Sequence, residues 1–121
     1  MHQQIRVNPA KSPADLAGVL RALTPFNILA AGGSDVEHGG EFAFAVDHSQ
    51  MDAASQALKN AGYNPRTVDV YHEFVPNQPG ALAGVVARWA AANRQSGKMI
   101  KDIAVGAAGA DGKVPVQIYA E

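Results

Sequence analysis

Apolar residues fall into periodic runs along the chain. Ile5 and Val7 mark a short strand closed by Asn8 and Pro9. Ser12 is a good N-cap before Pro13, Asp15 falls three residues after it, and Leu16, Val19, Leu20 and Leu23 then repeat on one helical face until Thr24 and Pro25 stop the run. Asn27 to Ala31 reads as a strand, Gly32 to Gly40 as a glycine-bounded connection, and Glu41 to Asp47 as a second strand with Phe42, Phe44 and Val46 on one face. Its other face carries Ala43 and Ala45, small and apolar where a solvated face would be polar, so something is expected to pack there, such as a second subunit. Ser49 with Asp52 repeats the cap pattern ahead of a helix on Met51, Ala54, Leu58 and Ala61 that ends at Gly62.

Thr67 to Val75 is the longest strand signal. The stretch Asn77, Gln78, Pro79, Gly80, Ala81, Leu82 then leads into a helix with Leu82, Val85, Val86, Trp89 and Ala90 on one side, broken over Asn93 to Lys98. Ile100 to Val105 and Lys113 to Tyr119 are two further strands, and Asp111-Gly112 suits the turn between them. The order predicts an α+β chain: a ferredoxin-like βαββαβ unit with an appended αββ partial repeat, its antiparallel sheet covered by helices on one face. Pro13 to Leu20 matches Pro79 to Val86 at five of eight positions, and both segments continue through a break into a strand and hairpin. This favours a duplication, with residues 1-75 as a whole first module and residues 76-121 as a partial second one.

Composition narrows the function classes. At 121 residues, with 47% hydrophobic and 17% charged, the chain is long enough for a core without staples. Ten basic residues offset by eleven acidic ones, scattered singly, give no basic stripe for nucleic acid. The lack of cysteine excludes disulfides and thiolate zinc sites and is compatible with the cytoplasm. Met1 to Gln4 is polar with no apolar signal core behind it, and Arg88 and Arg94 interrupt the longest apolar tract, so neither export nor a membrane span is expected.

The Pro79-Gly80 step carries the main chemical signal. Proline is tolerated in a first helical turn, glycine lets another molecule approach the backbone, and the open N–H groups of a helix start suit a carboxylate. With the strand before it and Gly97, Lys98, Met99, Ile100 after it, Asn77-Gln78-Pro79-Gly80-Ala81-Leu82 resembles the loop-helix pattern of the ACT domain family, small ferredoxin-like regulatory modules often found in tandem. The resemblance covers most of the chain. It implies an amino acid or similar small effector lined by Asn77 and the Gln78 to Leu82 backbone, with strand backbone near Ile103 of a neighbouring module meeting the ammonium. It also implies a homo-oligomer, a possible protein partner, and no cofactor, metal or catalytic group. The first copy has Ala14 in place of the glycine, so binding is expected at Gly80 and not at Ala14.

Two other readings remain open. His2, His38, His48 and His72 have no metal-ligand spacing among them, and His72 and Glu73 point to opposite faces of a strand. A metal or acid-base site at His72 and Glu73 would draw on His38 and Glu37 as additions, and a small dimeric ferredoxin-like enzyme would need His72 or His38 in a closed apolar cavity. A ligand-free assembly module would instead use the Ala43 and Ala45 face. Gly32-Gly33 and Gly39-Gly40 lack the following lysine and helix of a phosphate loop and read as hairpin hinges.

Overall fold

The structure, a computed structural model, describes residues 2–9, 13–34 and 39–121. Its elements run β1 (His2–Val7), α1 (Pro13–Ala22), β2 (Ala30–Ser34), β3 (Glu41–Ala45), a 3-10 turn (His48–Gln50), α2 (Met51–Asn60), β4 (Arg66–Pro76), α3 (Ala81–Ala92), β5 (Ile100–Gly106) and β6 (Lys113–Ala120). The expected cap at Ser12 and the candidate pair Glu37 and His38 lie outside the described residues. The cap expected at Ser49 belongs instead to Asp47, whose carboxylate accepts the Ser49 N–H at 3.0 Å and starts the 3-10 turn.

The open ferredoxin-like sheet is corrected. Among the described residues the six strands close into one antiparallel barrel in the order β1-β3-β2-β5-β6-β4, with β4 returning to β1. Nor does the sheet support a tandem of separate modules, because β4 pairs with β1 along one edge and with β6 along the other. Closure occurs where β2 meets β5, at Ala30 opposite Gly106 and Ala31 opposite Val105. Glycine is what permits it: a Cβ on Gly106 would lie 1.9 Å from the Leu29 carbonyl oxygen, and one on Gly32 would lie 3.0 Å from that of Ile103. Gly32 is therefore a strand residue at the seam, not a hairpin hinge, and the strand expected at Asn27 to Ala31 begins at Ala30.

The helices cover the outside. Ile5, Val7 and Phe44 face outward and pack with Val19 and Leu23 of α1 and Ala54 and Leu58 of α2. On the other side Val75, Val116 and Ile118 pack under Val85 and Trp89 of α3 alone. Each fully buried side chain of this size contributes about 1.5–3 kcal/mol. The apolar cores thus lie between barrel and helices, and the strands' alternate residues, Gln4, Arg6, Ala43, Ala45, Asp102, Ala104 and Gln117, turn inward. The expectation that a second subunit covers Ala43 and Ala45 is corrected: both are buried in the barrel, and the opposite wall is this chain's own β5 and β6.

Candidate functional site

The barrel interior is polar at one end and hollow at the other. Near the β1 C-terminus, Arg6 Nε donates to Glu41 Oε1 at 3.0 Å, and its terminal nitrogens donate to both carboxylate oxygens of Asp102 across the barrel. Arg6 and Asp102 are nearly buried, with side-chain exposures of 5% and 11%. Arg66 Nη2 donates to Glu41 Oε1 at 2.7 Å, and the Arg6 guanidinium stacks 4.2 Å from the Tyr119 ring centre. Burial alone would lower the Arg6 pKa, but its bonds to Asp102 and Glu41 outweigh that and the net shift is upward. Glu41 is held below its ordinary range, chiefly by the hydrogen bond from Arg66. These charges plug the barrel.

At the opposite end the same strands leave a cavity of about 500 Å³. Leu29, Val46, Met51, Phe74 and Pro115 form apolar walls, and His2, His48, His72, Asp47, Asp111 and Lys113 add polar groups. β1 and β4 run antiparallel with His2 opposite Val70, which brings the His2 ring onto that of His72, stacked at 4.0 Å. Phe74 meets the His72 ring edge-on at 4.6 Å. His72 Nδ1 lies 3.2 Å from Gln117 Nε2, while its Nε2 is buried with no hydrogen-bond partner among the described residues. An unpaired buried polar atom costs about 1–3 kcal/mol, a penalty that a ligand group of complementary polarity would relieve. Burial first, and then the charge of His2, lowers the His72 pKa. Among the described residues no group of three or more His, Cys, Asp or Glu side chains could hold a metal ion.

The loop-helix lies elsewhere. Asn77, Gln78, Pro79, Gly80 and Leu82 are exposed, Ala81 is half-buried, and none of them lines the cavity. Gly80 has φ 82°, a left-handed conformation at the α3 N-cap, so glycine is required there by the backbone whether or not a ligand approaches. The Ala81 N–H is used by the Gln78 carbonyl at 3.3 Å, leaving those of Leu82 and Ala83 without an intrahelical partner. Ile103 packs beneath α3 with the second apolar cluster rather than beside a recess. Glu73 points outward to Arg88, Nε to Oε1 at 2.9 Å, on the face opposite His72, as strand alternation requires. Sequence reading missed His2, whose partner lies on β4, and Gln4, Arg6 and Gln117, whose polarity reads as solvent exposure.

Among the described residues no helix is long and apolar enough to cross a membrane. No family model matches the chain, and no curated protein sequence matches it. Solved structures do match. Protein BT0572 from Bacteroides thetaiotaomicron is 24% identical with a TM-score of 0.73, over 98% of this chain and 78% of that one. The ligand-free regulatory subunit of aspartate kinase from Thermus thermophilus is 21% identical with a TM-score of 0.60, over 97% of this chain and 82% of that one. At these identities the likeness is one of fold, and it spans nearly the whole chain.

Proposed function

We propose that this protein is a small-molecule-binding regulatory module whose effector enters the open end of the barrel. The observation that carries this reading is the apolar cavity of about 500 Å³ with His72 in its wall, a half-buried imidazole whose Nε2 is buried and lacks a hydrogen-bond partner among the described residues. The shared fold with an aspartate kinase regulatory subunit and the ACT-like loop-helix support a regulatory role by analogy. An amino acid is the effector class that this analogy favours. The loop-helix at Asn77 to Leu82 is a second place for its carboxylate, and being exposed it would need a neighbouring copy to enclose the ligand. Signalling would then pass through an oligomer or a protein partner.

Calorimetric screening of the common amino acids and small carboxylic acids against the full chain tests this. A binder is expected, and silence across the panel would overturn the proposal. His72→Phe should abolish binding, whereas Leu82→Glu, which sets a carboxylate at the α3 N-terminus and keeps the helix, should spare it. The reverse pattern would move the site to the loop-helix.

The acid-base enzyme reading keeps one favourable observation, the histidine in an apolar cavity with a lowered pKa. Turnover of a bound carboxylic acid, followed by NMR and lost in His72→Phe, would favour it over sensing.

A further inference from the structure

The barrel interior contains a chain of hydrogen bonds that can run in only one direction. A guanidinium has five N–H donors, no acceptor, and a permanent charge. Arg6 Nη1 donates to Gln4 Oε1 at 2.7 Å. Turning the Gln4 amide over would set its NH2 against the guanidinium, donor facing donor, so Oε1 must stay on Arg6. The Gln4 Nε2 is then left to donate to Gln117 Oε1 at 3.1 Å. Gln117 is fixed in turn, and its Nε2 lies 3.2 Å from His72 Nδ1. An amide NH2 only donates, so Nδ1 has to accept, and the ring proton sits on Nε2. Gln4, Arg6 and Gln117 are 0%, 4% and 3% exposed, which keeps solvent from exchanging these roles.

We infer that Arg6, acting through Gln4 and Gln117, is a positioning residue that holds His72 as the neutral imidazole protonated on Nε2. The cavity wall thereby offers an N–H donor and selects a ligand with a carboxylate or carbonyl oxygen over one with only an ammonium. The ligand half of this inference rests on the cavity being the effector site, while the tautomer half stands on the free protein alone. A second proton on His72 would face the Gln117 NH2 directly. Reversing Gln117 to receive it would set that NH2 against the NH2 of Gln4. His2 is the titratable group stacked on the same ring, and Asp47, His48, Asp111 and Lys113 also line the cavity.

His2 and Phe74 also bear on how a ligand reaches the donor. Both rings contact His72 and both are exposed, Phe74 at 60%, so either can swing out while the glutamine chain behind the imidazole stays in place.

Long-range proton–nitrogen NMR on the full chain with 15N-labelled histidine reads the tautomer directly. In free protein at neutral pH His72 should show an unprotonated Nδ1 and a protonated Nε2; the opposite tautomer, a mixture or an imidazolium would overturn the relay. Gln117→Glu puts an acceptor in the same place and should move the proton to Nδ1 and raise the pH at which His72 titrates. Should that variant fail to fold, Gln117→Met, of similar length and apolar, should instead give a mixture of tautomers, and an unchanged Nε2–H form would count against the relay. Sodium benzoate and benzylammonium are the ligand probes. Benzoate should shift the His72 Nε2 resonance and bind about tenfold more weakly to Gln117→Glu, while benzylammonium should leave it unmoved. Equal responses would overturn the selection rule. Silence from both, with the free-protein tautomer as stated, would strike the effector reading of the cavity and leave the relay standing.

Discussion

The two ends of the barrel interior are built from the same strands and have opposite character. Arg6, Glu41, Asp102 and Arg66 fill one end with paired charges beside the Tyr119 ring, whereas His2, Ala30, Ala45, Pro115 and His72, farther along the barrel strands, surround a cavity. Between them Gly32, Ala43 and Ala104 are too small to fill the lumen, and the glutamine pair bridges it. Filling, not strand number, decides where this barrel can take a guest. The plug also acts at a distance, because its arginine orients the glutamines that reach the open end.

Removing the plug should have the largest effect. Arg6→Met leaves Asp102, Glu41 and Gln4 without their buried partner and should cost about 3–5 kcal/mol, read by urea denaturation. Arg6→Met combined with Asp102→Leu should recover much of that loss, since an apolar pair in place of a buried ion pair is often neutral.

Forcing the seam comes next. Gly106→Val drives a side chain into the Leu29 carbonyl, 1.9 Å from the position of the new Cβ, and should cost about 1–3 kcal/mol or more. Amide exchange should rise first at Leu29 to Ala31 and at Val105, the residues that close the ring beside the cavity.

Glu41→Gln weakens the plug at its solvent edge. Arg66 is about half exposed, so solvent screening limits the loss to about 1 kcal/mol at neutral pH. Because Glu41 titrates below its ordinary range when folded, its contribution is present above that range and fades as pH falls through the lowered value. The acid limb of an unfolding profile should therefore be shallower in the variant.

At the open end the effects on stability are smaller and depend on pH. The lowered His72 pKa means that the unfolded chain binds more protons between the lowered value and the ordinary histidine range. Stability is full above that range and falls as pH drops through it. His72→Phe should stay within about 1 kcal/mol of the parent at neutral pH and flatten this slope. Smallest of all, Lys101→Ala removes an exposed pair 4.0 Å apart and should change stability by no more than about 0.5 kcal/mol.

Much of the local structure was legible in the sequence, and its failures are instructive. Periodicity located α1, α2 and α3 and the hairpin turn at Asp111-Gly112, because those signals are set within a few residues. Ile5 and Val7 alternating with Gln4 and Arg6 reveal a two-faced strand, but alternation does not say which face meets water. In an open sheet the glutamine and arginine would be outside; here helices cover the apolar face and ring closure buries the polar one. Ala43 and Ala45 hinted at a covered second face, whereas Gly32 read as a hairpin hinge although it and Gly106 are where backbones approach closely. The contact that joins these hints, β2 with β5, links distant parts of the chain and leaves no local pattern. His2 and His72 likewise meet only through the β1–β4 register. At Gly80 a helix-cap requirement for φ 82° produces the same residue as an effector loop would, so sequence alone could not separate the two.

Chemical-shift mapping of the labelled full chain, titrated with the pooled amino acids and small carboxylic acids, decides most directly where a ligand sits. Shifts should concentrate at His2, Leu29, Ala45, His72, Phe74 and Gln117, around the open end of the barrel. Shifts confined to Asn77 through Leu82 and Ile103, with the histidines unmoved, would contradict a ligand inside it.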